Sequence, residues 1–155
     1  MVDADALRPN ALELDEAQRA KMVVTPHARE FERLFGQKIP DSLDERVAVV
    51  KKAAGDHGVV VLVKGPTDVI SDGERVGLNT THSPAMTVGG TGDVLTGVTS
   101  GLAAKGMGRF EAACCAAYVN GLAGAEAAQE LGLHILASDV VACIPKAMKR
   151  FDKLE

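Results

Sequence analysis

The densest chemical signal in the chain is Met86-Thr87-Val88-Gly89-Gly90-Thr91-Gly92-Asp93-Val94-Leu95-Thr96-Gly97. Three glycines in four positions precede an apolar-periodic stretch. Glycine lets the backbone reach positive φ and lets a ligand approach the main chain. The unpaired N–H groups of a first helical turn point outward at the positive end of the helix dipole. Together they make an anion site suited to phosphate. An acid in that same turn, Asp93, is in reach of a bound phosphoryl group and can take a proton from an attacking hydroxyl. The string is neither a Walker A loop nor a dinucleotide fingerprint, because G-x-x-x-x-G-K-[ST] and G-x-G-x-x-G are both absent. By itself it also fits a tight turn with a first-turn acid.

The elements that must position this loop follow from pattern. Val59 to Val63 is a continuous β-branched run, apolar on both faces, as in a central strand covered on both sides. Met22-Val23-Val24-Thr25 is a second apolar run that stops at Pro26. Thr25 as cap and Pro26 at the first position predict a helix start, with Ala28, Phe31, Leu34 and Phe35 on one face and an end at Gly36. Ser42 and Glu45 read as a capping box opening a helix with Leu43, Val47, Val50 and Ala54 on one stripe, ending near Gly55. Asp68 to Val76 reads as strand, Asp72-Gly73 turn, strand. Gly92 to about Lys105 and Phe110 to about Leu131 are predicted helices. The second is apolar nearly all round, with Gly121 and Gly124 allowing close packing. Ser138 is expected to cap a last helix, whose Asp139 and late Lys146, Lys149 and Arg150 suit the dipole.

Alternating strands and helices indicate an α/β fold, and no linker or repeat divides the chain, so 1–155 reads as one domain. Composition narrows the function classes. A net charge of −4 with 46% hydrophobic residues excludes a disordered chain and argues against a nucleic-acid binder. No apolar run is long enough to span a membrane. Three cysteines without C-x-x-C spacing fit a reduced, cytoplasmic setting. His57, His82 and His134 show no metal spacing and read as loop residues. Sixteen glycines exceed the usual share of about 7%. Most fall between Gly89 and Gly132.

Gly89-Gly90-Thr91-Gly92-Asp93 resembles the G-x-G-D signature of the ribokinase-like superfamily, and more narrowly that of the ADP/ATP-dependent NAD(P)H-hydrate dehydratases. Other stretches resemble that family in the same order: Asp3-Ala4-Asp5-Ala6-Leu7, Thr25-Pro26-His27 with Glu30 and Phe31, Val63-Lys64-Gly65, and Ala137-Ser138-Asp139. The resemblance runs through nearly the whole chain. It implies a ribokinase-like, Rossmann-like three-layer α/β/α fold. It further implies a phosphoryl transfer from ADP or ATP, with Mg2+, to the hydroxyl of hydrated NADH or NADPH (NAD(P)HX), followed by loss of phosphate. On the matching positions, Asp93 is the base and a substrate contact. The backbone of Gly90, Thr91 and Gly92 is the anion hole. His27 contacts the hydrated nucleotide. Lys64, Gly65, Pro66, Thr67 and Asp68 line the nucleotide phosphate and ribose. Glu30 organises magnesium indirectly. Asp3 and Asp5 read as structural or at the edge of the site.

The sequence departs from the family pattern at His82-Ser83, where Gly-Asn is usual, at Ala28-Arg29, where Pro-Gly is usual, and at Thr87, where Ala is common. The family's D-A-D-A-L lies near mid-domain. The expectation is therefore that these residues are the C-terminal half of a larger domain, and that they oligomerise or pair with an N-terminal half across an exposed strand edge. Two rival readings remain at this stage. One is a ribokinase-like kinase of a vitamin precursor or sugar. The other is a part that is inactive without its N-terminal half.

Overall fold

The computed structural model describes residues 1–152. Its centre is a four-stranded sheet in the order β1-β2-β3-β4. The strands are β1 (Val23–Val24), β2 (Val60–Val63), β3 (Asp68–Ser71) and β4 (Val76–Asn79). β1 and β2 are parallel, with Val23 opposite Val60 and Val24 opposite Val61. The β2-β3 and β3-β4 pairs are antiparallel, so the sheet is mixed. The residues of Asp72-Gly73-Glu74-Arg75 form the hairpin turn, with the Asp72 carboxylate accepting from the Glu74 and Arg75 amides. Val2 adds a single parallel bridge to Val24 outside β1.

Helices cover both faces. The chain makes one turn of helix, α1 (Glu16–Arg19), then α2 (Ala28–Phe35), α3 (Leu43–His57), α4 (Thr91–Ala104), α5 (Arg109–Leu131) and α6 (Ala137–Lys149). The β2 run shows why both faces must be covered. Val61 and Val63 enter a core with Phe31, Leu34, Val50 and Ala54 of α2 and α3. Val60 and Leu62 enter another with Leu95 of α4 and Ala113, Ala116 and Ala117 of α5. Strand side chains alternate between faces, so one β-branched run feeds two cores. A third cluster joins Val119, Ala123 and Ala127 of α5 to Val140, Cys143 and Ala147 of α6. The order is therefore helix layer, sheet, helix layer, with α6 behind α5.

Several local expectations are corrected. The cap of α2 is His27, and Thr25 is fully buried with its hydroxyl turned to the Val2 carbonyl at 3.4 Å. α3 runs through Gly55 to His57 and ends at Gly58 in the left-handed region. The Gly73 turn packs on Gly55, so a side chain at Gly73 would crowd the Gly55 backbone, whereas one at Gly55 would meet Gly73 only at ordinary contact distance. Ser42 stands at the N-cap without a side-chain bond, so the expected capping box does not form. Ser138 lies inside α6, and the Leu136 amide is instead satisfied by the Asp139 carboxylate at 2.7 Å. His57 is helical, while His82 and His134 lie in loops.

Candidate active site

Parallel strands bring their carboxyl ends to one edge of a sheet, where ligands of α/β folds sit. Here that edge collects residues far apart in sequence. The Lys64 amide donates to the Pro26 carbonyl at 2.9 Å, which sets the end of β2 beside the Thr25-Pro26-His27 segment. The Thr25 amide donates to the Val2 carbonyl at 3.2 Å, which adds the N-terminal segment and Asp3. Ala4, just after Asp3, has φ 52°, the one non-glycine residue in the left-handed region among the described residues. Such a residue costs roughly 1 kcal/mol or more and needs support. Arg33 supplies it by donating to the carbonyls of Ala4 at 3.2 Å and Leu7 at 2.9 Å.

Asp3 is thereby held at the centre of a polar node. One carboxylate oxygen pairs with Lys64 Nζ at 2.9 Å and the other accepts from Thr96 Oγ1 of α4 at 2.9 Å. Burial alone would raise the Asp3 carboxyl, but the Lys64 hydrogen bond and charge, with Thr96 and Thr25, hold it below the usual value. Glu30 stands 3.8 Å from the same ammonium. It also closes a reciprocal cap with His27: its carboxylate accepts from the His27 amide at 2.8 Å, and its amide donates to His27 Nδ1 at 3.2 Å. One lysine thus faces two carboxylates. Its charge is already offset, so attraction for a phosphate at this edge must come mainly from the neighbouring helix terminus.

That terminus is the start of α4. Gly90 is the N-cap with φ +94°, and a side chain there would also press on Ala137. Glycine is required on both counts. The Thr91 hydroxyl bonds the carbonyls of Met86 at 2.9 Å and Val88 at 3.1 Å, folding the loop back on itself. Among the described residues, the amides of Thr91, Gly92 and Asp93 have no protein acceptor. The first bond of the turn runs from the Val94 amide to Gly90. Three free amides at a helix N-terminus form an anion-binding pole.

The pole stands between two concavities. The first, of about 440 Å³, is lined by Lys64, Gly65, Pro66 and Asp68 on one side, Thr91 and Gly92 on another, and the Thr81–Thr87 segment and α5 beyond. The second is apolar and more open. It carries Asp93 with Val94, Gly97, Val141 and Ile144. The structure therefore gathers Lys64, Gly65, Pro66, Asp68, Thr91 and Gly92 into one cavity. It leaves His27, Glu30, Thr67, Gly90 and Asp93 off its wall. Asp93 is solvent-exposed and points its chemistry to the other side of the loop.

Asp68 anchors the cavity wall. It accepts from the Gly65 amide at 3.0 Å and from Asn79 Nδ2 at 2.9 Å. Burial pushes its carboxyl above the usual range despite those two bonds. Asn79 in turn accepts from the Thr81 amide at 3.2 Å and donates to the Ala117 carbonyl of α5 at 3.3 Å. The Thr81 loop lies so close to α5 that a side chain at Gly121 would come 2.6 Å from the Thr81 carbonyl carbon. One Cβ at Gly124 would come 2.6 Å from Met86 Cγ. These contacts explain part of the glycine excess and confirm the close packing expected of both glycines.

Sequence reasoning placed Asp3 at the margin and gave Thr96 and Asn120 no role. Among the described residues, no group of three or more His, Cys, Asp or Glu is placed to hold a metal ion. The nearest carboxylates, Asp3 and Glu30, are engaged with Lys64.

A glycine-capped helix terminus at the carboxyl edge of a three-layer α/β fold is the arrangement of a phosphate-binding α/β protein. The solved structure of the ADP/ATP-dependent NAD(P)H-hydrate dehydratase from Bacillus subtilis, co-crystallised with ATP/Mg2+, superposes with a TM-score of 0.79 at 29% identity, covering 97% of this chain and 54% of that one. The family model described as NAD(P)H-hydrate dehydratase matches residues 1–146, and the chain belongs to that family. It is 55% identical over 134 residues to the ADP-dependent (S)-NAD(P)H-hydrate dehydratase of Cenarchaeum symbiosum, covering 86% of this chain and 46% of that protein. It is 47% identical to the enzyme of the same name from Nitrosopumilus maritimus, covering 99% and 53%. The chain spans about half the length of these relatives.

Proposed function

We propose that this chain carries the nucleotide-binding and base-bearing part of an ADP- or ATP-dependent dehydratase acting on hydrated NADH or NADPH. The observation that carries the proposal is the position of the α4 terminus. Thr91 and Gly92, whose amides have no protein acceptor, line the 440 Å³ cavity, while Asp93, the next residue, lines the more open concavity. A phosphoryl donor held in the cavity would rest its terminal phosphate on those amides. An acceptor hydroxyl arriving from the open side would meet the Asp93 carboxylate.

The chemistry follows from that division. The hydroxyl oxygen of the hydrated ring attacks the terminal phosphorus, the bond to the departing nucleotide breaks, and Asp93 takes the hydroxyl proton. Hydroxide is a poor leaving group at neutral pH and phosphate a good one. The phosphate leaves with the C–O electrons, the neighbouring ring carbon gives up a proton, and the dihydropyridine double bond returns. Magnesium belongs to this reading as a companion of the nucleotide phosphates, since no group of three or more ligand side chains surrounds a site for it among the described residues.

The test is recovery of reduced-nicotinamide absorbance and phosphate release from enzymatically hydrated NADH with ADP or ATP. Asp93→Asn should lower the rate about 10²–10⁴-fold and leave nucleotide protection against unfolding intact. Transfer of phosphate to a stable product without regained absorbance would replace this reading with a kinase.

Association is part of the proposal. Leu133 and Leu136 are 70% and 60% exposed, and Leu131, Val141 and Phe151 are also open, while β1 carries only the Val2 bridge on its outer side. Such surface favours self-association or pairing with the other part of a full-length domain. A 16.2 kDa monomer in sedimentation, at concentrations where activity is seen, would overturn it. Placement in a reducing, cytoplasmic compartment fits the three free cysteines. No helix of the described residues is long and apolar enough to cross a membrane.

A further inference from the structure

The ion pair at the cavity edge works against the anion-binding pole beside it. Lys64 lines the cavity, and its ammonium lies against the first turn of α4: a Cβ built on Gly92 would come 3.4 Å from Lys64 Nζ and 3.9 Å from Asp3 Oδ2. An anion on the Gly92 amide is therefore within reach of that ammonium. Yet Lys64 is bonded to Asp3 at 2.9 Å and faces Glu30 at 3.8 Å. Two carboxylates against one ammonium leave the group net negative where an anion must settle. Burial opposes ionisation of Asp3, but Lys64, Thr96 and Thr25 keep its carboxyl below the usual value, so the negative charge is present near neutral pH. The fold also strains itself to put that carboxylate there. The Asp3 side chain is 10% exposed, Ala4 after it has φ 52°, and Arg33 ties down the Ala4 and Leu7 carbonyls. Strain of this kind gathers at working sites, where the surrounding structure holds it.

We infer that Asp3 is a restraining residue: it shares the Lys64 ammonium with the bound phosphate and so limits how tightly the nucleotide is held. The inference rests on the nucleotide reading above and gives that site a residue acting against affinity. An ammonium has three donors and Asp3 takes one, so Lys64 can also serve a phosphate oxygen on the Gly92 amide. The phosphate then gains a charge-assisted bond but feels the repulsion of the carboxylate bonded to the same lysine. Tighter ground-state binding adds nothing to the rate of transfer, and it slows departure of the spent nucleotide. Asp3 acts here through Lys64, as a positioning residue that holds the lysine in place whether the phosphate is present or gone. Its second oxygen accepts from Thr96 on α4, one turn beyond Gly92, which fixes the carboxylate relative to the same helix terminus.

The experiment is calorimetric titration of the 155-residue chain with ADP and with adenosine, beside thermal melts, first in metal-free low-salt buffer and then with magnesium. Asp3→Asn should melt lower than the unaltered chain yet bind ADP about 3–30-fold tighter, the effect of removing one carboxylate several ångströms from the phosphate. Adenosine, which has no phosphate, should bind both proteins alike. Thr96→Val keeps the Asp3 charge, so it should melt lower without tightening ADP. The double variant Asp3→Asn, Lys64→Met lacks the ammonium and should bind ADP no tighter than the unaltered chain. Asp3→Ser is read in the same way if Asp3→Asn does not fold. Equal or weaker ADP binding by Asp3→Asn overturns the inference, because a merely structural aspartate loses stability and affinity together. A gain for adenosine of the same size overturns it too, since the cavity would then have changed shape. If the double variant keeps the gain, Asp3 does not act through Lys64 and the inference fails while the nucleotide reading stands. The same holds if Asp3→Asn abolishes a magnesium-dependent gain in ADP binding, which would make Asp3 a metal contact. If ADP binds none of the proteins, the inference and the nucleotide reading fail together.

Discussion

Replacing Gly121 by alanine tests the close approach on which the cavity wall depends. An added Cβ would stand 2.6 Å from the Thr81 carbonyl carbon, nearer still to its oxygen, and 3.2 Å from the Thr81 Cβ. Ordinary carbon contacts lie at about 3.5–4.0 Å, so the loop or α5 must yield by about an ångström. The neighbour is backbone, and that backbone is tied down. The Thr81 amide bonds Asn79, and Asn79 bonds both Asp68 and Ala117. Overpacking of this kind costs about 1–3 kcal/mol, and in a chain of this size 1 kcal/mol is worth about 2–4 °C. Gly121→Ala should therefore lower the melting temperature by about 2–12 °C and weaken nucleotide protection, because Thr81 lines the cavity. Gly101 provides the opposing control. It lies inside α4, exposed, with nothing within 4 Å of an added Cβ. There the same substitution should stabilise by up to about 1 kcal/mol, the helix-propensity difference, and raise the melting temperature by about 2–4 °C. Two Gly→Ala changes in adjacent helices thus shift melting in opposite directions. If both variants melt alike, or Gly121→Ala melts at the unaltered temperature, the wall is not built on this contact.

Thr91→Ala removes the hydroxyl that bonds the Met86 and Val88 carbonyls, so it should cost about 1 kcal/mol and weaken ADP binding about tenfold; Thr91→Ser should restore both, as read by calorimetry. Asp3 is held below its usual carboxyl value of 3.8 in the fold. The stability it contributes is present above that value and is lost as pH falls through the lower folded value. Asp3→Asn should therefore be less stable near neutrality and show a shallower loss on acidification below about pH 4, measured by urea unfolding across that range. Burial pushes the Cys114 thiol up to about 11, while Cys115 is exposed and Cys143 is buried and raised by the same cause. Brief alkylation at neutral pH followed by peptide mass spectrometry should find Cys115 modified first, and labelling of Cys114 at an equal rate would contradict the packing of its sulfur against Gly77.

What the sequence made legible was local. The β2 run, the Asp72-Gly73 hairpin and the glycine loop before α4 each carry their signal within a few residues, and each forms as expected. The errors came from competing partners brought in by tertiary structure. Thr25 has the chemistry of a cap, but the Val2 segment buries it and the cap passes to His27. Gly55 has the chemistry of a helix stop, but the Gly73 turn packs on it and α3 continues. The polar node was illegible for a plainer reason. Lys64 meets Asp3 and Thr96 meets Asp3 across 61 and 93 residues, and no periodicity encodes such pairs. Asn120 could have been singled out as the amide set among alanines in the middle of α5, since the helix's other amide, Gln129, falls near its end. A polar residue in such a place needs a partner, and the sequence offers none nearby.

On the proposed reading, the arrangement at α4 separates two jobs that a phosphoryl-transfer site must perform. Binding the donor requires positive potential with little mobility, and the free amides of Thr91 and Gly92 supply it from a backbone already fixed by the Thr91 hydroxyl. Lysine would supply more charge, but here Lys64 is committed to Asp3 and Glu30, so it organises the edge more than it attracts anions. Activating the acceptor requires a carboxylate that the donor's phosphates do not touch, since two anions at one point repel. Asp93 stands one residue beyond Gly92, on the opposite side of the loop and off the cavity wall, which on the proposed reading sets it toward the acceptor. On the proposed reading, changes on the cavity side act on nucleotide affinity and a change at Asp93 acts on transfer. The two effects belong to different measurements because the helix terminus stands between them.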